Sequence, residues 1–211
     1  MRGVVVGYVG RLVIEKGIRS LLEALRGLDS YPWKLLFVGA GPLENEIQQK
    51  WMTEFPGRIV IVPPVPYDRV AEYLRCLDIF VMASYSSPTL AEQFGVTLAQ
   101  AMTLGIPCIG SSCGAIPEVL GPGGLIAEER NAKALAENLK ILLESRTGRE
   151  EFGRSGRAFA LEHYAIERVG AGYLAAFERA RGYLATTLHP SSSETGVEPG
   201  AEKTFKTTSC Q

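Results

Sequence analysis

At 211 residues, 46% of them hydrophobic, the chain carries enough apolar side chain for one well-packed domain. A formal charge of −1 gives no footprint for nucleic acid or an anionic membrane. Four cysteines without a C-x-x-C pair, beside only two histidines, disfavour a zinc site or a disulfide framework and suit a reducing, cytoplasmic setting.

Val4 to Val9 is a continuous apolar run, the pattern of a strand buried on both faces. It starts so close to Met1 that no signal peptide is expected ahead of it. Gly10 to Gly17 reads as a loop, and Leu21, Leu22, Leu25 and Leu28 give helical spacing over Ile18 to Leu28. Lys34 to Val38 is a second strand, closed by Gly39-Ala40-Gly41-Pro42, and Leu43 to Met52 is a helix with Pro42 beside its first turn. Ile59 to Val62 is a third strand. Asp68 to Cys76 is a helix with Asp68 as its expected N-cap. Asp78 to Met82 is a fourth strand, and Ser84 to Gln93 a loop.

Val96 to Leu104 is helical, Pro107 to Gly110 a fifth strand, and Ser111 to Glu118 a loop followed by a short turn at Val119-Leu120. Gly124 to Ile126 is a weak sixth strand. Ala132 to Ser145, Glu150 to Tyr164 and Ile166 to Leu184 are helical. The apolar runs are strand-length, so no membrane span is expected. Strands alternating with helices predict an α/β domain over residues 1–185, a Rossmann-like, doubly wound parallel sheet with its strand-to-helix loops on one ligand-binding edge. Residues 189–211 are rich in Ser, Thr, Gly, Pro, Glu and Lys and read as a disordered tail.

The most informative stretch runs from Glu92 through Phe94-Gly95 to Ala101-Met102 and Gly105-Ile106-Pro107. A carboxylate delivered into a helix N-terminus suits a polyol that carries a phosphate, because the carboxylate accepts hydroxyl hydrogen bonds while first-turn amides face an anion. This segment resembles the donor-site signature of retaining GT-B glycosyltransferases, the family that includes glycogen-synthase-like enzymes, usually written E-x-F-G-x-x-x-x-E-A-M-A-x-G-x-P-V-I. Gln100 stands where the signature has its second Glu. Gly10-Arg11-Leu12 with Lys16-Gly17 resembles the family's G-R-L-x-x-x-K-G element.

The resemblance implies the C-terminal, nucleotide-sugar-binding half of a GT-B fold. It implies that Arg11 and Lys16 clamp the donor diphosphate and that Glu92 holds sugar hydroxyls. These three are the expected catalytic residues, and transfer with retention is expected to need no metal or cofactor. Gly10, Val65 after the third strand, Phe94, Gly95, Val96, Thr97 and Gln100 are the expected donor-binding residues. Gln100 keeps a neutral acceptor for ribose in place of a charged one. Ser112-Cys113-Gly114-Ala115-Ile116-Pro117-Glu118 resembles the family's G-G-x-P-E loop, where the Ala115 methyl would crowd the backbone if φ there is positive. Glu118 is expected to order that loop.

The expected partners are a nucleotide-sugar donor and an acceptor-binding GT-B domain, in cis or in trans. No element here matches that domain, and His163 and His189 lie on the wrong elements for its catalytic histidine. The apolar face of the last helix, with Val169, Tyr173, Leu174 and Phe177, matches the family segment that crosses back to it. Two other readings stay open. One is a non-catalytic nucleotide-sugar-binding or interaction module, suggested by Gln100 and Ala115. The other is an unrelated α/β nucleotide enzyme such as a dehydrogenase, for which Gly39-Ala40-Gly41-Pro42-Leu43-Glu44 lacks the third glycine. That turn reads as structural, and Cys108 and Cys113 as small fillers.

Overall fold

The computed structural model describes residues 3–88 and 91–188, the side chains of residues 182 and 184–188 excepted. The chain divides into two compact units, one up to Arg168 and one from Val169 onward.

The first unit is built on six parallel strands: β1 (Val4–Val9), β2 (Trp33–Val38), β3 (Ile59–Val62), β4 (Ile79–Met82), β5 (Cys108–Ser111) and β6 (Gly124–Ala127). Their order is β3-β2-β1-β4-β5-β6, the doubly wound arrangement, with the chain reversing its direction of travel across the sheet between β1 and β4. Register runs Val6 to Leu35 on one side of β1 and Val6 to Ile79 on the other.

Alternate residues of each strand feed opposite faces, so a continuous apolar run fills two cores. Val6, Tyr8, Ile79 and Val81 pack against α1 (Ile18–Arg26) and α7 (Ala132–Glu144). Val9, Phe80, Met82 and Cys108 pack against α4 (Val70–Leu74), α5 (Val96–Thr103), α6 (Ile116–Leu120) and α8 (Arg146–Tyr164). Every strand expected from the sequence is present within a residue or so of its expected limits.

The helices carry more corrections. The segment expected as one helix from Leu43 is α2 (Glu44–Glu46), a π-helical stretch Ile47–Trp51 and α3 (Met52–Glu54), which together bury Ile47 and Trp51. Asp68 is not an N-cap. Pro66, at φ −55°, opens a 3-10 turn over Tyr67–Arg69, Asp68 falls inside that turn, and Arg69 precedes α4. The expected turn at Val119-Leu120 is the end of α6, which starts at Ile116 with Pro117 in its first turn. α8 begins at Arg146, capped by the Ser145 hydroxyl on the Gly148 N–H.

The second unit's described part is the remainder of α9 (Ile166–Leu188), along which Val169, Tyr173, Leu174 and Phe177 recur at helical spacing. The expected tail, with His189, lies outside the described residues. Among the described residues no helix is long and apolar enough to cross a membrane.

Candidate donor site at the carboxyl edge of the sheet

β1 ends at Val9 and hands the chain to a loop that closes with Lys16-Gly17 at the start of α1. Leu12, fully buried, anchors that loop. Its N–H donates to the Ala40 carbonyl, and its own carbonyl accepts from the Leu43 N–H, both near 3 Å. The Gly39–Pro42 turn is therefore the buttress of this loop, in keeping with the structural role expected for it. A 3-10 turn over Ile14–Lys16 brings Lys16 back toward the sheet. Gly17 sits at φ 71°, where a Cβ would lie 1.8 Å from the Ala83 carbonyl oxygen, so only glycine allows the loop to press against the end of β4.

That close approach places Lys16 beside Glu92. The Lys16 ammonium donates to Glu92 Oε2 at 2.6 Å, and the Ser84 hydroxyl donates to the same oxygen at 3.3 Å. The side chains of Lys16 and Glu92 are 20% and 14% exposed, so the pair is shielded yet reachable from solvent. Two residues 76 positions apart, singled out separately by the sequence, are thus in direct contact.

A third loop grips the Glu92 backbone. The Ala115 N–H donates to the Glu92 carbonyl at 2.8 Å. The residue in the left-handed region is Gly114, at φ 52°, and a Cβ there would lie 2.2 Å from the Glu92 carbonyl oxygen. Ala115 itself has φ −82° and ψ −1° at the head of α6. The crowding feared at Ala115 is absent, because the neighbouring glycine takes the conformation that would have caused it.

Tyr8 lies beneath this junction, 2% exposed, and its hydroxyl donates to the Arg11 carbonyl at 3.0 Å. Burial raises its phenol pKa, the Glu92 charge raises it further, and Arg11 opposes both. The hydroxyl therefore stays protonated and sits within electrostatic reach of both ions. Ser84 and Ser111, both buried, continue the polar floor, with the Ser111 hydroxyl donating to the Ser84 carbonyl.

The Arg11 side chain is exposed and borders a cavity of about 250 Å³, shared with Gly10, Gly39, Ala40, Pro64 and Val65. Gly10, Arg11 and Val65, from the ends of β1 and β3, are thereby gathered around one opening. Glu92 and Gln100 do not line it. A larger cavity, about 520 Å³, opens at the other ends of β1 and β4, near Gly3, Arg75 and Asp78. It contains none of the expected site residues.

Gly95, at φ 78°, opens α5, and its carbonyl accepts from the Leu98 and Ala99 N–H groups. Val96 is exposed and Thr97 partly so. The Gln100 side chain makes no hydrogen bond among the described residues. Phe94 packs edge-to-face on Tyr164 with ring centroids 5.2 Å apart, and the Tyr164 hydroxyl donates to the Glu118 and Val119 carbonyls. Phe94 and Glu118 thus join the end of α8 to the site loops. His163 stacks on Phe159, away from Lys16 and Glu92 in the contacts it makes. Cys108 is buried, which pushes its thiol pKa up, and Cys113 is fully buried. Among the described residues no cluster of three His, Cys, Asp or Glu side chains is placed to hold a metal.

The arrangement is a shielded carboxylate, an ammonium with two further donors to spare, an open guanidinium and a helix start, on one sheet edge. Residues 2–159 match the family model for glycosyl transferases group 1. The chain belongs to that family. It is 34% identical over 160 residues to the capsular polysaccharide biosynthesis glycosyltransferase CapM of Staphylococcus aureus, a match covering 72% of this chain and 40% of CapM. Its fold is that of HepE of Anabaena, solved in complex with UDP, at a TM-score of 0.74 and 19% identity over 84% of this chain and 49% of HepE. It also matches the C-terminal domain of the group 1 protein LpcC of Francisella tularensis, at a TM-score of 0.68 and 24% identity, covering 77% of this chain and 87% of that domain. The chain spans less than half the length of CapM and of HepE.

In this group 1 glycosyltransferase chain, sequence reasoning missed Tyr8 and Ser84, and placed the conformational demand of the G-G-x-P-E-like loop on Ala115 instead of Gly114. Tyr8 had a visible signal, a hydroxyl-bearing residue in an otherwise aliphatic strand just ahead of Gly10-Arg11. Ser84 looked like any loop serine, and only the fold shows it buried under Glu92.

Proposed function

We propose that this chain is the donor-binding half of a retaining glycosyltransferase, which passes a hexosyl group from a nucleoside-diphosphate sugar to an acceptor held by a second, acceptor-binding GT-B domain. The observation that carries this reading is the shielded Lys16–Glu92 pair at 2.6 Å, held where three strand-to-helix loops meet. A polyol phosphate needs a carboxylate and cations side by side.

Arg11 binds the diphosphate as a bidentate fork, and Lys16 meets it with an N–H left free by Glu92. Both stabilise the charge that builds on the β-phosphate as the bond to the anomeric carbon breaks. Glu92 accepts hydrogen bonds from sugar hydroxyls, with its carboxylate aimed by Ser84 and Lys16. The amides of Val96 and Thr97, at the head of α5, add donors to the phosphate side, and Phe94-Gly95 set that helix start. Gly10 and Val65 border the base side, and Gln100, outside that opening, accepts from the ribose. The acceptor oxygen attacks the anomeric carbon on the face the diphosphate leaves, and the departing phosphate takes the acceptor's proton. No step in this scheme requires a metal.

Titrating UDP, GDP and ADP into the chain by calorimetry tests the reading. One diphosphate is expected to bind, with a Kd on the order of micromolar to low millimolar. Loss of a charge-assisted contact of about 1.5–3 kcal/mol in Arg11→Ala should weaken it by about 10- to 150-fold. A folded chain that binds none of the three, or binds equally well without Arg11, overturns the assignment. Gln100 favours a second reading, a nucleotide-sugar-binding module without catalysis. A neutral acceptor for a charged one costs about 1 kcal/mol, which weakens but does not abolish a ribose contact. Transfer to any acceptor, once an acceptor domain is supplied, excludes that module.

A further inference from the structure

The loop between β4 and α5 carries Glu92, and its Tyr85 and Glu92 backbone groups pair with backbone of other loops. At Ser86 both peptide groups are held instead by side chains from the connection between β6 and α7. The Ser86 N–H donates to Glu129 Oε2 at 2.7 Å, and the Arg130 guanidinium donates to the Ser86 carbonyl at 2.9 Å. The same guanidinium lies 4.2 Å from the centre of the Tyr85 ring. The neighbouring Tyr85 N–H donates to the carbonyl of Glu15, next to Lys16. Glu129 is itself fixed, its N–H donating to the Ser112 hydroxyl at 3.0 Å.

Arg130 is also the one non-glycine residue at positive φ among the described residues, at 61°. A side chain held in that region marks a position where surrounding contacts outweigh backbone strain. Here the contacts are those with Ser86 and Tyr85.

We infer that Glu129 and Arg130 are positioning residues of the donor site, a two-sided clasp on the Ser86 peptide that fixes the start of the loop leading to Glu92 and, through Tyr85 and Glu15, its register with Lys16. The inference rests on the donor-site reading for its functional consequence, though not for its structural one. Neither residue touches the bound donor in this scheme.

Arg130→Gly separates strain from clasp, since glycine accepts φ 61° while removing the guanidinium. The variant is expected to melt slightly lower than the wild type while staying folded, because the lost contacts outweigh the relieved strain. Hydrogen exchange at the Tyr85 and Ser86 amides should quicken by about tenfold or more. Affinity for whichever of UDP, GDP or ADP the wild type binds should fall by about three- to tenfold. Glu129→Ala should act in the same direction, and Glu129→Gln, which keeps an acceptor for the Ser86 N–H, should recover most of the affinity. If the wild type binds no diphosphate, the donor reading fails while exchange still decides the clasp. Unchanged exchange in Arg130→Gly overturns the clasp. Faster exchange with unchanged affinity, in a wild type that binds, overturns its positioning role.

Discussion

Tyr8 shows how a residue that never needs to meet substrate can shape this site. Its ring belongs to the core on one face of the sheet, and its hydroxyl holds the carbonyl of Arg11. Tyr8→Phe keeps the ring and removes the bond, so it should cost about 1 kcal/mol of stability, measured by urea unfolding. The raised pKa gives a second signature. A folded-state pKa above the unfolded value of about 10 means that stability is fully present below pH 10 and is lost as pH climbs past it. Buried Cys108 has the same sign and starts the loss slightly earlier, because its ordinary pKa is lower. Urea midpoints measured from pH 8 to pH 11 should therefore fall, and Tyr8→Phe should flatten the upper part of that fall. An unaltered slope in the variant would show that Tyr8 ionises in the fold as it does when unfolded.

The loops obey a different logic, in which backbone meets backbone. Glu92 is held by contacts that exist because Gly114 has no side chain, and because the Ala115 N–H is free to donate. Gly114→Ala should cost about 1–3 kcal/mol, from the positive φ together with a Cβ driven toward the Glu92 carbonyl. Ala115→Gly one position on should cost no more than about 1 kcal/mol, through backbone entropy alone. Comparing the two by urea unfolding checks the assignment, and equal effects would contradict it. The G-G-x-P-E resemblance located this loop correctly but attached the conformational demand to the wrong residue of the pair. A motif records residue types, whereas φ is settled by how the loop must turn to reach its neighbour. The Asp68 cap failed for a related reason: Pro66 started the turn a residue early.

At the scale of the molecule, six parallel strands place every strand-to-helix loop on one edge, and the candidate site is assembled there from segments ten to over a hundred residues apart. Such a site should stabilise the whole unit when filled. At about 100 times its Kd, a diphosphate contributes about 2.7 kcal/mol, which for a domain of this size raises the melting temperature by about 5–10 °C. A scan with and without the diphosphate should show that shift in the wild type and at most about half of it in Arg11→Ala at the same concentration.

The sequence by itself determined the strands, the α/β class and the two charged motifs, because each is written locally. A buried parallel strand is a run of apolar residues, a glycine-bounded loop is marked by its glycines, and Glu92 with Phe94-Gly95 occupies a short span. Contact between those motifs is not local. Lys16 meets Glu92 because the sheet order sets β1 beside β4, and because Gly17 lets one loop touch the other. Gly114, Ser84 and the Glu129–Arg130 clasp likewise gain their roles from which backbone lies opposite them. Only the tertiary structure decided these, since a side chain's burial and hydrogen-bond partner depend on segments distant in the chain, and no local pattern encodes that distance.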